Sequence, residues 1–314
     1  MTDLPTPEAP LRIGTRGSPL ALAQAHETRA RLMAAFELPD EAFQIEVIKT
    51  TGDRILDRPL KDIGGKGLFT REIEEALAAG VIDIAVHSMK DMPTLQPDGL
   101  IIDCYLPRED VRDAFVTLDG GSLADLPAGS VVGSSSLRRR AQIALRRPDL
   151  KLVEFRGNVQ TRMKKLGDGV ADATFLAMAG LNRLKMHEVP RHATDTADML
   201  PAVAQGCIGI ERRVTDDNAA RMLAAIHHAP TGMRLNCERQ FLKTLDGSCE
   251  TPIAGLAELD GDILNFRGEI LRPDGSDVLT VEGECPVTGG AALGARLAQD
   301  LLDRAPEGFF DWRT

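Results

Sequence analysis

One arrangement recurs through the first two thirds of this chain: a short apolar strand, a polar tip, then an amphipathic helix. LRIGTR (11–16) reads as a strand. Ser18 suits an N-cap and Pro19 the first helical position. Leu22, Ala25, Leu32 and Phe36 then recur near the 3.6-residue period, with Arg29 the one intrusion. FQIEVIKT (43–50) is a second strand. GGKGLFTREIEEALAAG (64–80) predicts a glycine-rich turn feeding a helix with Phe69, Ile73, Ala76 and Leu77 on one face. IDIAVHSM (82–89) is mostly apolar, as in a buried parallel strand, and stops at KDMP. SVVGSSS (130–136) leads into a helix at LRRRAQIAL, KLVEFR (151–156) into one at VQTRMKKL, and ADATFLAM (171–178) into AGLNRL. Strands alternating with helices predict α/β domains on mostly parallel sheets.

The last third changes character. IAGLAELD, ILNFRGEIL and DVLTVEGE are strand candidates joined by the turn sequences DGD (260–262) and RPDGS (272–276). A helix follows with Leu293, Leu297 and Leu301 at i, i+4 and i+8. The expected organisation is two α/β domains plus a small C-terminal α+β domain, a three-stranded sheet with helices. Domain 1 takes 1–106 plus about 207–228, domain 2 takes 107–206, and domain 3 takes 229–314. A length of 314 residues, too long for one ordinary core, agrees with several domains.

The N-terminus MTDLPTPEAP has neither a basic head nor an apolar run, so it does not read as a secretory signal. No apolar stretch approaches the roughly 20 residues of a membrane span. The cysteines (104, 207, 237, 249, 285) are odd in number and lack C-x-x-C spacing. A disulfide framework and a zinc site are therefore not expected, nor is any other metal, and a reducing cytoplasm fits. Cys104, Cys207 and Cys285 read as small buried hydrophobes. Cys249 stands apart: in LDGSCETPIAG (245–255) it is flanked by turn formers, which places it on a loop at the entrance of the third domain.

Net charge is −10, whereas a general polyanion binder is basic overall. Cations nevertheless gather at the carboxyl ends of the expected strands, where open α/β sheets bind ligands. Arg16 and Ser18 follow the first strand, and Lys66 lies in the glycine turn. Ser88, Lys90 and Asp91 end the third. Ser134, Ser135, Ser136, Arg138 and Arg139 follow SVVG, and Arg156 and Arg162 flank a helix start. Between Val131 and Arg147 there are five arginines and no acid. Helix N-termini and two-pronged guanidiniums together predict a site for a small polyanion. Arg146, Arg147, Lys164 and Lys165 read instead as solvated helix faces, and His87, inside an apolar strand, as a satisfied core residue. Asp91 is the odd acid among these cations. It is either a turn residue before Pro93 or a carboxylate serving a cationic centre. With 4% aromatics, a base-stacking platform for single-stranded nucleic acid is not expected.

Taken together, IGTRGSPLALAQA, GGKGLFTREIE, AVHSMKDMP, GSSSLRRRAQ, FRGNVQTRMKKL, LAMAGLNRL and GSCETPIAG resemble the porphobilinogen deaminase (hydroxymethylbilane synthase) family, in the family's order and over nearly the whole chain. The resemblance implies two periplasmic-binding-protein-like α/β domains with a cleft between them and a third, smaller domain. It implies a covalent dipyrromethane cofactor held by a thioether to Cys249, and head-to-tail joining of four porphobilinogen molecules with loss of ammonia. By motif match, Asp91 is the catalytic residue. Arg16, Ser18, Lys90, Ser134, Ser135, Ser136, Arg138, Arg139, Arg156 and Arg162 hold the cofactor, and Arg16, Lys66, Arg156 and Arg162 the substrate. Two departures stand out: Ser248 where many relatives have Gly, and Asp62 four residues before Lys66, where some carry Lys and where Lys61 compensates. The expected protein is a cytoplasmic monomer whose partner is porphobilinogen, with no nucleic acid and no membrane. The rival reading is a non-catalytic two-lobed receptor for small anions, against which the N-terminal sequence and Cys249 both count.

Overall fold

The computed structural model describes residues 4–54, 70–247 and 251–313. The expected glycine turn with Lys66, the neighbouring Lys61 and Asp62, and the Ser248–Cys249 pair lie outside the described residues. The strands are β1 (Leu11–Thr15), β2 (Phe43–Val47), β3 (Ile84–Ser88) and β4 (Leu100–Tyr105), followed by β5 (Asp113–Thr117), β6 (Val131–Gly133), β7 (Lys151–Val153), β8 (Ala173–Ala177) and β9 (His192–Ala193). Then come β10 (Ile208–Arg213), β11 (Ile253–Asp260), β12 (Ile263–Leu271) and β13 (Val278–Pro286). They form sheets of order β2-β1-β3-β10-β4, β7-β6-β8-β5-β9 and β11-β12-β13. The chain divides into two compact units, Met1–Glu109 with Cys207–Gly232, and Asp110–Gly206 with Met233–Thr314.

The two five-stranded sheets share one plan. Three neighbouring strands run parallel: β1 pairs β2 (Leu11 opposite Phe43) and β3 (Ile13 opposite Ile84), while β6 pairs β7 (Val131 opposite Lys151) and β8 (Val132 opposite Ala173). The fourth strand is antiparallel. β10 lies between β3 and β4, and β5 between β8 and β9. Each sheet thus has one reversed strand while its other four run the same way, as expected of mostly parallel sheets. The reason lies in the chain's route. β5 enters its sheet just after the chain leaves the first unit, and β10 just after it returns. Neither strand follows a helical crossover within its own sheet, so neither is obliged to run parallel.

Each sheet is covered on both faces. In the first unit, Ile13, Leu32, Phe43, Ile84, Val86, Ile210 and Met222 pack on one side, and Ile73, Leu77, Ile82, Ala85 and Leu100 on the other. Alternation along β3 explains the split, because Ile84 and Val86 point one way and Ala85 the other. The helix Pro19–Phe36 starts as expected, with the Ala21 N–H donating to Ser18 Oγ at 3.2 Å and Pro19 in its first turn. Arg29, the intrusion in its apolar stripe, turns outward to pair with Asp40 at 2.9 Å.

In the second unit the antiparallel β11-β12-β13 meander packs against the helix Gly290–Arg304, which buries Leu293, Leu297 and Leu301. The helix Ala229–Thr244, which belongs to this unit from Met233 on, accompanies them. Its Glu238, fully buried, accepts from Ala257 N–H at 2.8 Å and from Ala204 N–H at 2.7 Å. One carboxylate thereby ties β11 to a turn whose Ala204 has φ +62°. Cys104 and Cys207 are buried as expected, but Cys285 is only half-buried, because it sits on β13, whose burial alternates along the strand. Burial pushes the thiols of Cys104 and Cys237 up to about 12.

Gly294 is where two helices approach most closely. A Cβ there would lie 2.3 Å from the Cys237 carbonyl oxygen. Gly294→Ala is expected to cost about 1–3 kcal/mol, the range for overpacking a tight contact. It would appear as a lower urea midpoint at unchanged slope. A wild-type midpoint would refute the requirement for close approach.

Candidate active site

Because β1 and β3 are adjacent and parallel, their carboxyl ends open on the same side. Arg16 and Ser18 follow β1, and Ser88 closes β3. The short 3-10 turn Met89–Asp91 carries Lys90, half-buried, and Asp91, exposed. Arg16, Ser18, Gln24, His87, Ser88 and Asp91 line a cavity of about 80 Å³. Its floor is fixed by polar contacts. Ser88 Oγ lies 2.8 and 3.0 Å from the amide nitrogen and oxygen of Gln24. The turn itself is anchored by Met89 N–H donating to the Cys207 carbonyl at 3.0 Å. The structure therefore brings Arg16, Ser18 and Asp91 together, and adds Gln24 and His87, which were not expected there. His87 is satisfied, as expected of a core residue, by Glu211 Oε2 at 3.0 Å from its Nε2.

The end of β6 is built differently. The three serines hold the loop: Ser136 N–H donates to Ser134 Oγ at 3.3 Å and Phe155 N–H to Ser135 Oγ at 3.0 Å. Ser136 Oγ caps the helix Leu137–Arg146 by accepting from Arg139 N–H at 3.4 Å. Arg138 and Arg139, only 3% and 5% exposed, turn inward onto Asp113, which is 1% exposed. Arg138 Nη1 donates to Asp113 Oδ2 at 2.7 Å, to Gln142 at 2.9 Å and to the Leu200 carbonyl at 3.0 Å. Arg139 Nη2 donates to Asp113 Oδ1 at 2.7 Å, and its Nη1 to the Phe175 carbonyl at 2.9 Å. Gln205 adds a donor to Asp113 at 2.9 Å. Burial alone would raise the Asp113 carboxyl, but the two guanidiniums outweigh it and hold it far below the usual carboxylate range. Burial in turn lowers Arg139, partly offset by Asp113.

The structure thus gives this arginine pair an internal carboxylate that sequence reasoning missed. DAFVT looks like any strand. The signal was an acid heading an apolar run, which is sustainable only beside buried cations. Gln142, Gln205 and Glu269 were missed as well. Gln142 Nε2 reaches Glu269 at 2.5 Å, joining the arginine helix to β12.

Arg156 keeps an opening: its Nη1 is buried and has no partner. Arg162 Nε donates to the Gly157 carbonyl at 2.9 Å, at the turn before its own helix. Two residues expected on solvated faces do structural work instead. Arg147 donates to the carbonyls of Leu123 at 2.6 Å and Leu126 at 2.8 Å. Lys165 donates to the Arg156 carbonyl at 3.0 Å, with its ammonium 5.7 Å from the Phe155 ring centroid. Lys164, paired with Asp168, and Arg146 are exposed.

Two five-stranded sheets flanked by helices, with cations and Asp91 at strand ends, define an α/β protein. Comparison with known proteins narrows the class. Residues 11–221 match the model described as porphobilinogen deaminase, dipyromethane cofactor binding domain, and residues 233–303 match the porphobilinogen deaminase C-terminal domain. The chain is 69% identical to the porphobilinogen deaminase of Paracoccus denitrificans over 99% of its own length and 100% of that protein. It is 58% identical to the chloroplastic porphobilinogen deaminase of Pisum sativum, over 96% of this chain and 83% of that one. Among solved structures it is similar to the periplasmic aliphatic sulphonate binding protein SsuA from Escherichia coli, at 14% identity and a TM-score of 0.40, over 75% of this chain and 70% of that one. This chain belongs to the porphobilinogen deaminase family.

Asp113→Ala strands two buried guanidiniums and is expected to lower stability by about 3–5 kcal/mol at neutral pH. A carboxyl depressed in the folded state stabilises above its unfolded value of about 3.9 and loses that contribution as pH falls towards its folded value. The gap between wild type and variant should therefore narrow only below about pH 4. Denaturant melts at several pH values check this, and a gap constant down to pH 2 would contradict it.

Proposed function

We propose that this chain performs its family's reaction: four porphobilinogen molecules are joined head to tail into hydroxymethylbilane, with ammonia released at each joining. The enzyme is a transferase of tetrapyrrole biosynthesis that works with a dipyrromethane cofactor. The observation that carries this is 69% identity extending over the whole length of a porphobilinogen deaminase. The non-catalytic receptor reading has no comparable support.

The residues present fit a dipyrromethane. Each of its pyrroles carries an acetate and a propionate, and the orphaned buried Nη1 of Arg156 is the kind of donor a carboxylate satisfies. We assign Cys249 as the thioether attachment point. Arg16, Ser18, Lys90, Arg156 and Arg162 bind carboxylates of cofactor and substrate, with Lys66 assisting at the substrate. Arg138, Arg139 and Ser134–Ser136 complete the cofactor set. Their internal bonds favour a framing role, in which they fix the strand end from which ligand-facing groups project. When bound, the cofactor supplies the pyrrole on which the chain is started.

Asp91 does the electrostatic work. As ammonia leaves porphobilinogen, its methylene carbon and ring nitrogen share a positive charge. A carboxylate about 4 Å away stabilises a unit cation by roughly 4 kcal/mol at an effective dielectric near 20. That is about three powers of ten in rate when the cation develops only in the transition state. Arg16, lining the same cavity, holds substrate carboxylates and so orients the ring toward Asp91.

We read the protein as a cytoplasmic monomer of three domains that acts on a small molecule and not on nucleic acid. The net charge of −10 and the scarcity of aromatic residues support this. Among the described residues no helix is long and apolar enough to cross a membrane.

Asp91→Asn is expected to retain the covalent cofactor and to lose about 10³-fold in turnover of porphobilinogen. Near-normal turnover would remove Asp91 from the mechanism. Arg156→Ala is expected to impair cofactor assembly or chain growth, seen as incomplete covalent loading or a raised KM. Wild-type loading and kinetics would return this arginine to a purely structural role.

A further inference from the structure

The wall of the Asp91 cavity conceals three titratable side chains that the reaction as described leaves unused. His87 on β3 lines the cavity and is 6% exposed. Behind it, Glu211 on β10 is 0% exposed, is hydrogen-bonded through Oε2 to His87 Nε2 at 3.0 Å, and keeps its Oε1 buried with no partner. Glu74, on the helix Arg71–Ala78, is 9% exposed and packs on the same side of the sheet. Register explains the grouping: Glu211 stands opposite Ala85, two residues before His87, so both side chains leave the sheet on the face that the helix covers.

Charge counting shows why the group is unusual. Even with a cationic imidazole, two buried carboxylates leave one uncompensated negative charge. A proton held on Glu74, whose carboxyl burial raises, removes it. Burial, then the charge of Glu211, raises the Glu74 carboxyl, while His87 lowers it. The other charged groups around the cluster are Glu75 on the same helix, Arg16 after β1 and Asp91 after β3.

We propose that His87, backed by Glu211 and Glu74, is a buried proton relay opening onto the Asp91 cavity, which takes up the proton lost from the acceptor pyrrole and returns it to the departing ammonia. This rests on the porphobilinogen deaminase reading. The substrate enters as its ammonium form. Its C–N bond breaks with the electron pair leaving on nitrogen as ammonia, and the ring nitrogen supplies electrons to the methylene cation. The α-carbon of the acceptor pyrrole donates a π pair to that methylene, forming the new C–C bond. The hydrogen on that α-carbon then leaves as a proton to His87 and passes from the relay to ammonia, so each cycle releases one ammonium ion. His87 is the group at the cavity. Glu211 and Glu74 are positioning residues that act through it.

The test uses the full chain with Glu211→Gln, which keeps the shape at β10 and removes the proton site. The expected result is wild-type cofactor mass and urea midpoint, turnover lower by at least about tenfold as for loss of acid–base assistance, and a displaced acidic limb in the pH–rate profile. An infrared C=O band of a protonated carboxyl at neutral pH is expected in wild type, and is expected to be absent from Glu74→Gln. That band keeps the proposal falsifiable if Glu211→Gln fails to fold. A folded Glu211→Gln protein with wild-type rate and pH profile would overturn the relay, as would wild-type protein without the band. Wild-type protein that consumes no porphobilinogen would overturn the family reading on which the relay rests.

Discussion

A carboxylate sealed from water persists only if cations and donors surround it, and Asp113 imposes that condition on the second unit. Two guanidiniums and the Gln205 amide converge on it. The partners arrive from two stretches of chain: Arg138 and Arg139 from the helix after β6, and Gln205 from the segment leading back to β10. The same helix reaches β12 through Gln142 and Glu269, and Glu238 fastens β11 to the neighbouring turn. Removing one charged member leaves the others buried without compensation, so the network is retained or lost as a unit. Its contribution is to fix a geometry, since ion pairs of this kind add little net stability over a well-packed apolar core.

That fixed frame divides the basic residues into two kinds. Arg139 and Arg147 spend their donors on the protein itself, as does Arg138 apart from its buried Nε. Arg156 keeps a buried nitrogen in reserve, and Arg16 lines a cavity that also holds Asp91. An acidic protein that handles a polyanionic chain needs this separation. Cations that shape the second unit's strand ends are neutralised internally, as Arg138 and Arg139 are by Asp113. Asp91 shares its cavity with Arg16, and the role proposed for it is to stabilise a transient positive charge.

The parts of the fold that could be read from the sequence follow a physical rule. β1, β2, β3, β6, β7 and β8 are apolar runs that stop at polar tips, and their helices carry caps such as Ser18 and Ser136. β4, β5 and β10 were not legible: Asp103 and Glu211 interrupt β4 and β10, and β5 is a short run headed by Asp113. Two of these acids, Asp113 and Glu211, are buried and paired, a fact set by partners distant in the chain. For Asp113 the partners lie 25, 26 and 92 residues away, and for Glu211 the partner is 124 residues away. The grouping of Arg16, Ser18 and Asp91 was legible because adjacent parallel strands end together. The inward turn of Arg138 and Arg139 was not, since motif position says which residue follows a strand but not what its side chain will meet.

The proposed function requires that this chain build its pyrrole polymer on a primer tethered through Cys249. The most direct measurement is the intact mass of the denatured protein, purified from cells that make porphobilinogen. The account predicts a mass above that of the bare polypeptide by one two-pyrrole unit, localised by peptide mapping to Cys249. A mass equal to the bare polypeptide, or an adduct on another residue, would contradict it.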